Sequence, residues 1–284
     1  MNSFEDKLTT ISFSILKRAI KVVISGMNKI TTYLSIAALC YFCPFLLLAQ
    51  SPQPTEIVVR AQAKDAKFIG TSMGGAKVII RKAETGEILA QGLTEGSTGN
   101  TQAIMRQAKE RYVRISEGAA SFNTTLALTK PVFVTIEVLA PFNQKEARIV
   151  AQTQLWLIPG KHMNEEGIIL EIPGFVVEAF SPQTHQGFSM EATESVTLKA
   201  NIVMMCGCPL TSGGLWDADV LEVEAAVYIN NKYKKSIPMK ISDQANVFIG
   251  ELSLEDAGAY QVVISAYHPI SKNTGVDELN FNVN

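Results

Sequence analysis

The residues best suited to chemistry are two cysteines separated by one glycine, in the stretch MMCGCP at residues 204–209. On an extended strand, alternate residues point to the same side, so Met204, Cys206 and Cys208 would bring three sulfur atoms together. Thiolates and thioethers are soft ligands that select Cu(I), and cysteine combined with histidine also suits zinc. The spacing therefore predicts a copper or zinc site, to which a histidine from elsewhere in the chain would contribute.

Two other interpretations of these cysteines stay open. In the first, they form a small-ring disulfide or act as small buried apolar residues. In the second, they do thiol-redox chemistry, with Cys206 as the nucleophile and Cys208 as the resolving thiol. Nearby positive charge would favour a nucleophilic thiolate, whereas no Lys or Arg lies close in sequence and Glu222 has the wrong sign.

The first 49 residues are typical of a targeting segment rather than of a folded domain. An uncharged apolar run from Tyr33 to Leu48 follows Lys29 and ends at the small residue Ala49. This pattern predicts a cleaved signal peptide over residues 1–49, of ordinary length if translation starts at Met27. The alternative is an uncleaved membrane anchor formed by residues 31–49.

Export limits where the protein works and which cysteines it keeps. Cys40 and Cys43 fall within the signal segment, so the mature chain would carry Cys206 and Cys208 alone. Two thiols do not make a disulfide framework of the kind found in small secreted domains. We expect a periplasmic or secreted protein of a bacterium.

Composition indicates a globular protein without a strongly charged partner. The chain has 284 residues, of which 47% are hydrophobic and 18% charged, and its formal net charge is −2. That content supports a packed core. A mildly acidic chain is a poor match for nucleic acid or an anionic membrane surface. Contact with a membrane is expected only through the N-terminal segment.

The spacing of apolar residues predicts an all-β fold. From Glu56 onward, short β-branched runs alternate with Gly, Pro and Asn, as in β-sandwiches. We expect two tandem sandwiches, at residues 50–180 and 189–284, joined by a linker at 181–188. One helix is predicted over 101–112, because Ile104, Ala108 and Tyr112 are four residues apart and Asn100 could serve as its N-cap.

The second half carries a specific resemblance. The sequence DAGAY at residues 256–260, followed by Val262, resembles the immunoglobulin D-x-G-x-Y-x-C corner. In that motif the tyrosine, here Tyr260, bonds back to the preceding turn. Val262 stands where the family has a cysteine, and the predicted strand over 221–230 lacks the family's tryptophan. The resemblance is therefore to immunoglobulin-like sandwiches without the disulfide pin.

The first half has a looser resemblance of its own. The stretch GAKVII at residues 75–80 and the turns at 85–87 and 94–99 are similar to those of transthyretin-like sandwiches, which accompany carboxypeptidases and outer-membrane proteins. A predicted helix follows Gly99 where that family would have a further strand.

The immunoglobulin resemblance implies where the candidate ligands meet. Strands B and F face each other across such a sandwich, and their ends lie at the pole where the B–C and F–G loops cluster. Met204, Cys206 and Cys208 continue the inward face of strand B, and His268 continues that of strand F. These four residues are the predicted metal site.

Two aromatic residues at the same pole are predicted to contact a ligand or partner. They are Trp216, which follows Gly213-Gly214, and Tyr267 near the end of strand F. The alternative for Trp216 is that it caps the core at the end of the sandwich.

Taken together, these observations predict a non-enzymatic binding or accessory protein of a bacterial envelope. Its partner would be an envelope protein or a small ligand. The alternatives are a copper- or zinc-handling protein that uses Met204, Cys206, Cys208 and His268, and a thiol-redox protein. No catalytic residue is assigned, and copper is the one cofactor that the pattern suggests.

Overall fold

Sixteen β-strands dominate the part of the chain that the computed structural model describes, residues 51–108 and 110–284. The first seven strands are β1 Gln53–Ala63, β2 Lys77–Lys82, β3 Ile88–Leu93, β4 Phe122–Leu128, β5 Val132–Ala140, β6 Ile149–Leu157 and β7 Met163–Ile172. The next nine are β8 Phe175–Ser181, β9 Gly187–Phe188, β10 Ser195–Met204, β11 Glu222–Ile229, β12 Lys232–Pro238, β13 Lys240–Ile241, β14 Val247–Ser253, β15 Gly258–Tyr267 and β16 Thr274–Val283. The described helical segments are short turns at Thr71–Met73, Gln102–Arg106 and Ala218–Val220. The predicted all-β class is confirmed.

The predicted signal peptide at residues 1–49, with its alternative start at Met27, lies outside the described residues. Within the described ranges, no helix has the length and apolar character that crossing a bilayer requires.

The first sandwich packs a three-stranded sheet, β4-β1-β7, against a four-stranded sheet, β3-β2-β5-β6. Alternate residues of β1 and β5 point inward and are fully or almost fully buried: Ile57, Val59, Ala61, Val134, Ile136 and Val138. Strand β1 pairs antiparallel with β4 but parallel with β7, which comes last in this half of the chain.

The second sandwich has the strand order of the immunoglobulin fold. One sheet is β13-β14-β10-β8 and the other is β12-β11-β15-β16-β9. With β8, β10, β11, β13, β14, β15 and β16 read as strands A, B, C, D, E, F and G, these are the A-B-E-D and C-F-G sheets of that fold. The inward faces predicted for β10 and β15 are buried as expected, from Val196 to Met204 and from Tyr260 to Ala266.

The tyrosine corner of the second sandwich is confirmed. The hydroxyl of Tyr260 donates to the carbonyl oxygen of Asp256 at 2.7 Å. The Tyr260 ring is 2% exposed and stacks on Phe281, with ring centroids 4.9 Å apart. The corner therefore joins a turn outside the strand to the centre of the core.

The boundary between the sandwiches lies earlier than predicted. Strand Phe175–Ser181, which the sequence placed in the first half, hydrogen-bonds to β10 in the second. The predicted linker at 181–188 includes β9, which pairs with β16. Pro173 and Gly174 alone separate β7 from β8. A strand that follows this closely has an alternation that suits either sandwich, so periodicity could not assign it.

The helix predicted over 101–112 is wrong in length. The structure has a five-residue helical turn, Gln102–Arg106, after which the backbone becomes extended at Gln107. Asn100 does cap this turn, because its Oδ1 accepts from the backbone N–H groups of Gln102 at 2.8 Å and Ala103 at 3.2 Å. Short helices depend on packing, but Tyr112 is 90% exposed and offers no apolar contact that would extend the turn.

Candidate functional site

The cysteines lie in a tight turn that begins where β10 ends. The N–H of Gly207 donates to the carbonyl oxygen of Met204 at 2.7 Å, and the N–H of Met204 donates to that of Cys208 at 3.2 Å. Gly207 has a φ of +74°, and a Cβ there would lie 2.6 Å from the sulfur of Met73. Glycine suits both conditions, because it adopts this φ at no steric cost and leaves room for the Met73 side chain.

The two cysteines are bonded to each other. Cys206 and Cys208 form a disulfide, and they are 1% and 5% exposed. Buried cysteines in apolar surroundings are generally inert, whereas reactive ones are partly exposed and close to positive charge. Of the three interpretations left open by the sequence, this geometry favours a structural disulfide.

The turn is buried because the first sandwich covers it. Met73 follows β1 in the chain and belongs to that sandwich, yet it contacts Gly207 of the second. Gly174, between the two sandwiches, lies against the methyl group of Met205. We name this region the junction, defined by Met73, Gly174, Met205, Cys206 and Cys208. The pole where the metal site was predicted therefore faces protein rather than solvent.

One amide side chain links both sandwiches across the junction. Asn273 is fully buried. Its Oδ1 accepts from the N–H of Gly174 at 2.9 Å, and its Nδ2 donates to the carbonyl oxygen of Lys64 at 3.1 Å. Buried backbone groups need partners, so this side chain satisfies a donor at the crossover and an acceptor of the first sandwich at once.

Trp216 is engaged at the same place. Its indole Nε1 donates to the carbonyl oxygen of Asp65 in the first sandwich at 2.9 Å, and its ring packs partly buried against the core. This arrangement matches the capping alternative more closely than a free binding aromatic. Tyr267 is partly exposed, and its hydroxyl accepts from Lys272 Nζ at 2.9 Å. A partner role for these two aromatics stays a prediction.

His268 organises a turn between β15 and β16. Its Nδ1 accepts from the N–H of Ser271 at 2.9 Å and lies 3.0 Å from the hydroxyl of the same residue. The backbone N–H of His268 donates to the carbonyl oxygen of Asn273. The histidine thus helps to place the asparagine that bridges the junction.

The predicted ligand set is not assembled as a metal group in the described ranges. No three His, Cys, Asp or Glu side chains there are positioned to hold a metal ion. Met204 is 3% exposed at the end of β10, and both cysteine sulfurs are committed to the disulfide. Copper or zinc binding by Met204, Cys206, Cys208 and His268 stays a prediction that would first require reduction.

Sequence reasoning missed a buried arginine in the first sandwich. Arg60 is 4% exposed, and its guanidinium donates to the carbonyl oxygens of Ala119, Ala120 and Glu166. Burial lowers the pKa of Arg60, Arg114 adds to this effect, and Glu166 opposes it. The available signal was one cation in the middle of the apolar run EIVVRAQA.

A second missed feature is an exposed aromatic pair on the first sandwich. Trp156 of β6 is 55% exposed, and its ring lies 5.1 Å from that of Phe133 on β5, centroid to centroid. The signal was the strict alternation along β6, which places Val150, Gln152, Gln154 and Trp156 on the outer side.

Comparisons with known proteins give likeness to solved structures only, since no protein-family model and no curated protein matches the chain. The fibronectin(III)-like modules of CbhA from Clostridium thermocellum share 10% identity at a TM-score of 0.26, covering 81% of this chain and 93% of theirs. The titin domains Z1Z2, solved in complex with telethonin, share 9% identity at a TM-score of 0.23, covering 83% of this chain and 98% of theirs. The titin Ig tandem A164-A165 shares 9% identity at a TM-score of 0.23, covering 83% of this chain and 97% of its own. The fold assignment rests on the strand order and the Tyr260 corner, and by these the chain is an all-β protein of immunoglobulin-like sandwiches.

Proposed function

We propose that this chain is an exported, non-enzymatic binding or accessory protein of a bacterial envelope, and that its partner or ligand binds the outer face of the β3-β2-β5-β6 sheet. The observation that carries the proposal is the 55% exposure of Trp156 beside Phe133. Tryptophan is among the residues that contribute most to binding interfaces. Its exposure on a regular strand, rather than in a disordered loop, gives a preformed surface.

This outer face combines apolar side chains with hydrogen-bonding groups. The apolar members, placed outward by alternation with the buried residues of the same strands, are Ile79, Leu93, Phe133, Leu139, Val150 and Trp156. Gln152 and Gln154 lie between Val150 and Trp156 on β6. The charges of Arg81 and Glu137 are paired at 3.1 Å, and Lys77 adds one cation to the same side of β2. Such a mixture suits a partner with apolar and neutral polar groups rather than a highly charged one.

A cleft at the aromatic end of the face adds a concave element. It has a volume of about 340 Å³ and is lined by Trp156, Phe133, Lys130 and the β2–β3 turn around Glu84. Binding sites commonly combine an aromatic wall with a few polar groups that set orientation. Lys130 and Glu84 provide both signs of charge at the rim of this cleft.

The junction explains why the proposed surface is on the first sandwich. Trp216 and the cysteine turn, the features that first suggested a site, are occupied in holding the two sandwiches together. The outer face of the β3-β2-β5-β6 sheet has no such internal use in the described part of the chain. It is therefore the stronger candidate for contact with a partner.

Site-specific photocrosslinking in cells tests the proposal. A photoreactive phenylalanine analogue would replace Trp156 in one variant and Tyr233 in the matched control. Tyr233 is an aromatic residue of the second sandwich with 57% exposure. We expect a discrete covalent adduct with another protein or a cell-wall ligand at position 156 and none at position 233.

Three outcomes would contradict this proposal. They are the absence of any adduct at position 156, adducts of equal yield at both positions, and an adduct made only of two copies of this chain. The second would indicate non-specific contact, and the third would assign the surface to self-association alone.

A further inference from the structure

Strand β6 ends a sheet with one of its sides unpaired. It pairs with β5 through nine consecutive residue pairs, from Ile149 to Leu157, without a register shift. In the strand order β3-β2-β5-β6, no described strand bonds to its other side. A regular edge of this length presents a row of backbone donors and acceptors that can template another strand.

The apolar core reaches the surface along this edge. The inward residues of β5, which are Val134, Ile136 and Val138, are completely buried. Their direct partners on β6, which are Leu155, Thr153 and Ala151, are only partly buried. The layer that covers the core is therefore incomplete on the outer side of β6.

The usual protections of an edge strand are absent from β6. Its sequence, IVAQTQLWL, has no charged residue, no proline and no glycine. Several other edges in the described chain carry such protections, and β3, the opposite edge of the same sheet, is uncharged but shorter and contains Gly92. Strands β9 and β13 have two residues each, and β12 carries Lys232, Lys234, Lys235 and Pro238. Lysine, proline and short length are common devices against edge-to-edge pairing.

Strand β4 is also an uncharged edge, but the neighbouring sheet covers its first residue. The ring of Phe122 at its start packs directly over Gly92 of β3, in contact with the position a Cβ would occupy. Strand β4 is therefore covered at that end by the neighbouring sheet, and β6 is the better candidate for pairing.

The sequence of β6 is chemically symmetric about Thr153. Antiparallel pairing of two copies centred on this residue sets Gln152 against Gln154, Ala151 against Leu155, Val150 against Trp156, and Ile149 against Leu157. Amides then meet amides and apolar side chains meet apolar side chains on both faces. A two-fold interface requires this self-complementarity, because each contact between two different positions occurs twice, once in each direction.

We propose that β6 pairs antiparallel with β6 of a second copy of this chain, centred on Thr153. The two four-stranded sheets would join into one continuous sheet. The pairing would satisfy the open backbone groups of both edges and complete the cover over both cores. This inference stands whether or not the outer face binds a further partner.

Two variants with changes at the same positions test the pairing and its register. In Gln152→Lys/Gln154→Lys, lysine faces lysine at both symmetric pairs. In Gln152→Lys/Gln154→Glu, lysine faces glutamate at both. Opposed like charges destabilise a strand pair and opposite charges support it. Sedimentation velocity of the exported protein from low to high micromolar concentration would give the dissociation constant of each form.

We expect the wild type and the lysine–glutamate variant to be dimers, and the double-lysine variant to dissociate with a constant at least about tenfold larger. Circular dichroism and thermal unfolding would establish that both variants keep the wild-type fold. A wild type that stays monomeric throughout would overturn the proposal, including the case in which β6 binds a strand of a different protein. So would a dimer that both variants weaken equally, because that would exclude the Thr153-centred register.

Discussion

The two sandwiches use different side chains to fix a loop to the core. In the first, Arg60 brings a cation into the interior and binds the carbonyl oxygens of Ala119, Ala120 and Glu166. In the second, Tyr260 brings an aromatic ring inward and a single hydroxyl to the Asp256 carbonyl. The first has to anchor the irregular connection at 110–121, to which Arg60 makes two of its three hydrogen bonds, and the third goes to Glu166 on β7. The second has only a tight turn to hold, for which the neutral hydroxyl is sufficient: it donates to the Asp256 carbonyl oxygen and accepts from the Asp256 N–H at 3.4 Å.

The sandwiches also differ at their edges. The sheets of the second end in the two-residue strands β9 and β13, the lysine-rich β12 and β8, which carries Glu178, whereas one sheet of the first ends in the uncharged nine-residue β6. The first sandwich therefore has the surface suited to association, and the second has edges that resist it. One chain can combine the two because the junction keeps them together.

Replacing the buried arginine should have the largest effect on stability. In Arg60→Met, three carbonyl oxygens lose their donor, and we expect the first sandwich to lose about 3 kcal/mol of unfolding free energy. The unfolding free energy of Arg60→Lys should lie between those of Arg60→Met and the wild type, because lysine keeps the charge but lacks the planar guanidinium. Urea unfolding would be followed by Trp156 fluorescence in a Trp216→Phe background, since the chain has two tryptophans.

The reciprocal background, Trp156→Phe, reports on the second sandwich through Trp216. If Arg60→Met leaves the urea midpoint of the Trp156 signal unchanged, the arginine does not anchor the 110–121 connection.

Removing the disulfide should have an intermediate effect. Because the loop between Cys206 and Cys208 is short, chain entropy predicts a loss of about 1.5 kcal/mol in the Cys206→Ala/Cys208→Ala variant. In the protein that lacks residues 1–49, and with them Cys40 and Cys43, we also expect no free thiol after denaturation and no uptake of Cu(I) before reduction. Stoichiometric copper or zinc in the purified protein, lost in Cys206→Ser/Cys208→Ser, would instead support the metal site.

Removing the corner hydroxyl should have the smallest effect. Tyr260→Phe keeps the ring on Phe281 and loses two neutral hydrogen bonds to Asp256, of which the one from the Asp256 N–H is long at 3.4 Å, for an expected cost of about 1 kcal/mol. The matched control is Tyr228→Phe in the same sandwich, where the structure gives the hydroxyl no hydrogen bond, and we expect little change. A cost for Tyr260→Phe as large as that for Arg60→Met would remove the contrast between the two anchors.

Much of this fold could be predicted because alternation reports which side of a strand is buried. The inward faces of β10 and β15 and the Tyr260 corner follow directly from residue type and order. The junction could not be predicted in this way. Periodicity showed that Met204 and the cysteines face inward, but not that Met73, Asp65 and Lys64 of another sandwich would cover them.

The errors have related causes. The sequence left two roles open for Trp216, a partner contact or a cap on the core, because its acceptor, the Asp65 carbonyl, is distant in sequence. The predicted helix depended on residues four apart, without information about whether Tyr112 had anything to pack against. Trp156 received no role because its strand was interpreted for fold alone, although the exposed side of that strand was already visible in the alternation.

The parallel pairing of β1 with β7 affects the order in which the chain can fold. Ile57 pairs with Met163, so the central strand of its sheet meets one neighbour only after roughly a hundred further residues have been made. The entropic cost of closing a loop of that length has to be met before the contacts between β1 and β7 can stabilise the fold. During synthesis, β1 is therefore the strand of the first sandwich that waits longest for its full set of neighbours. Protection of residues 53–63 by a holding chaperone would help this half most, whereas the second sandwich, built largely from closely spaced strands, would depend on it less.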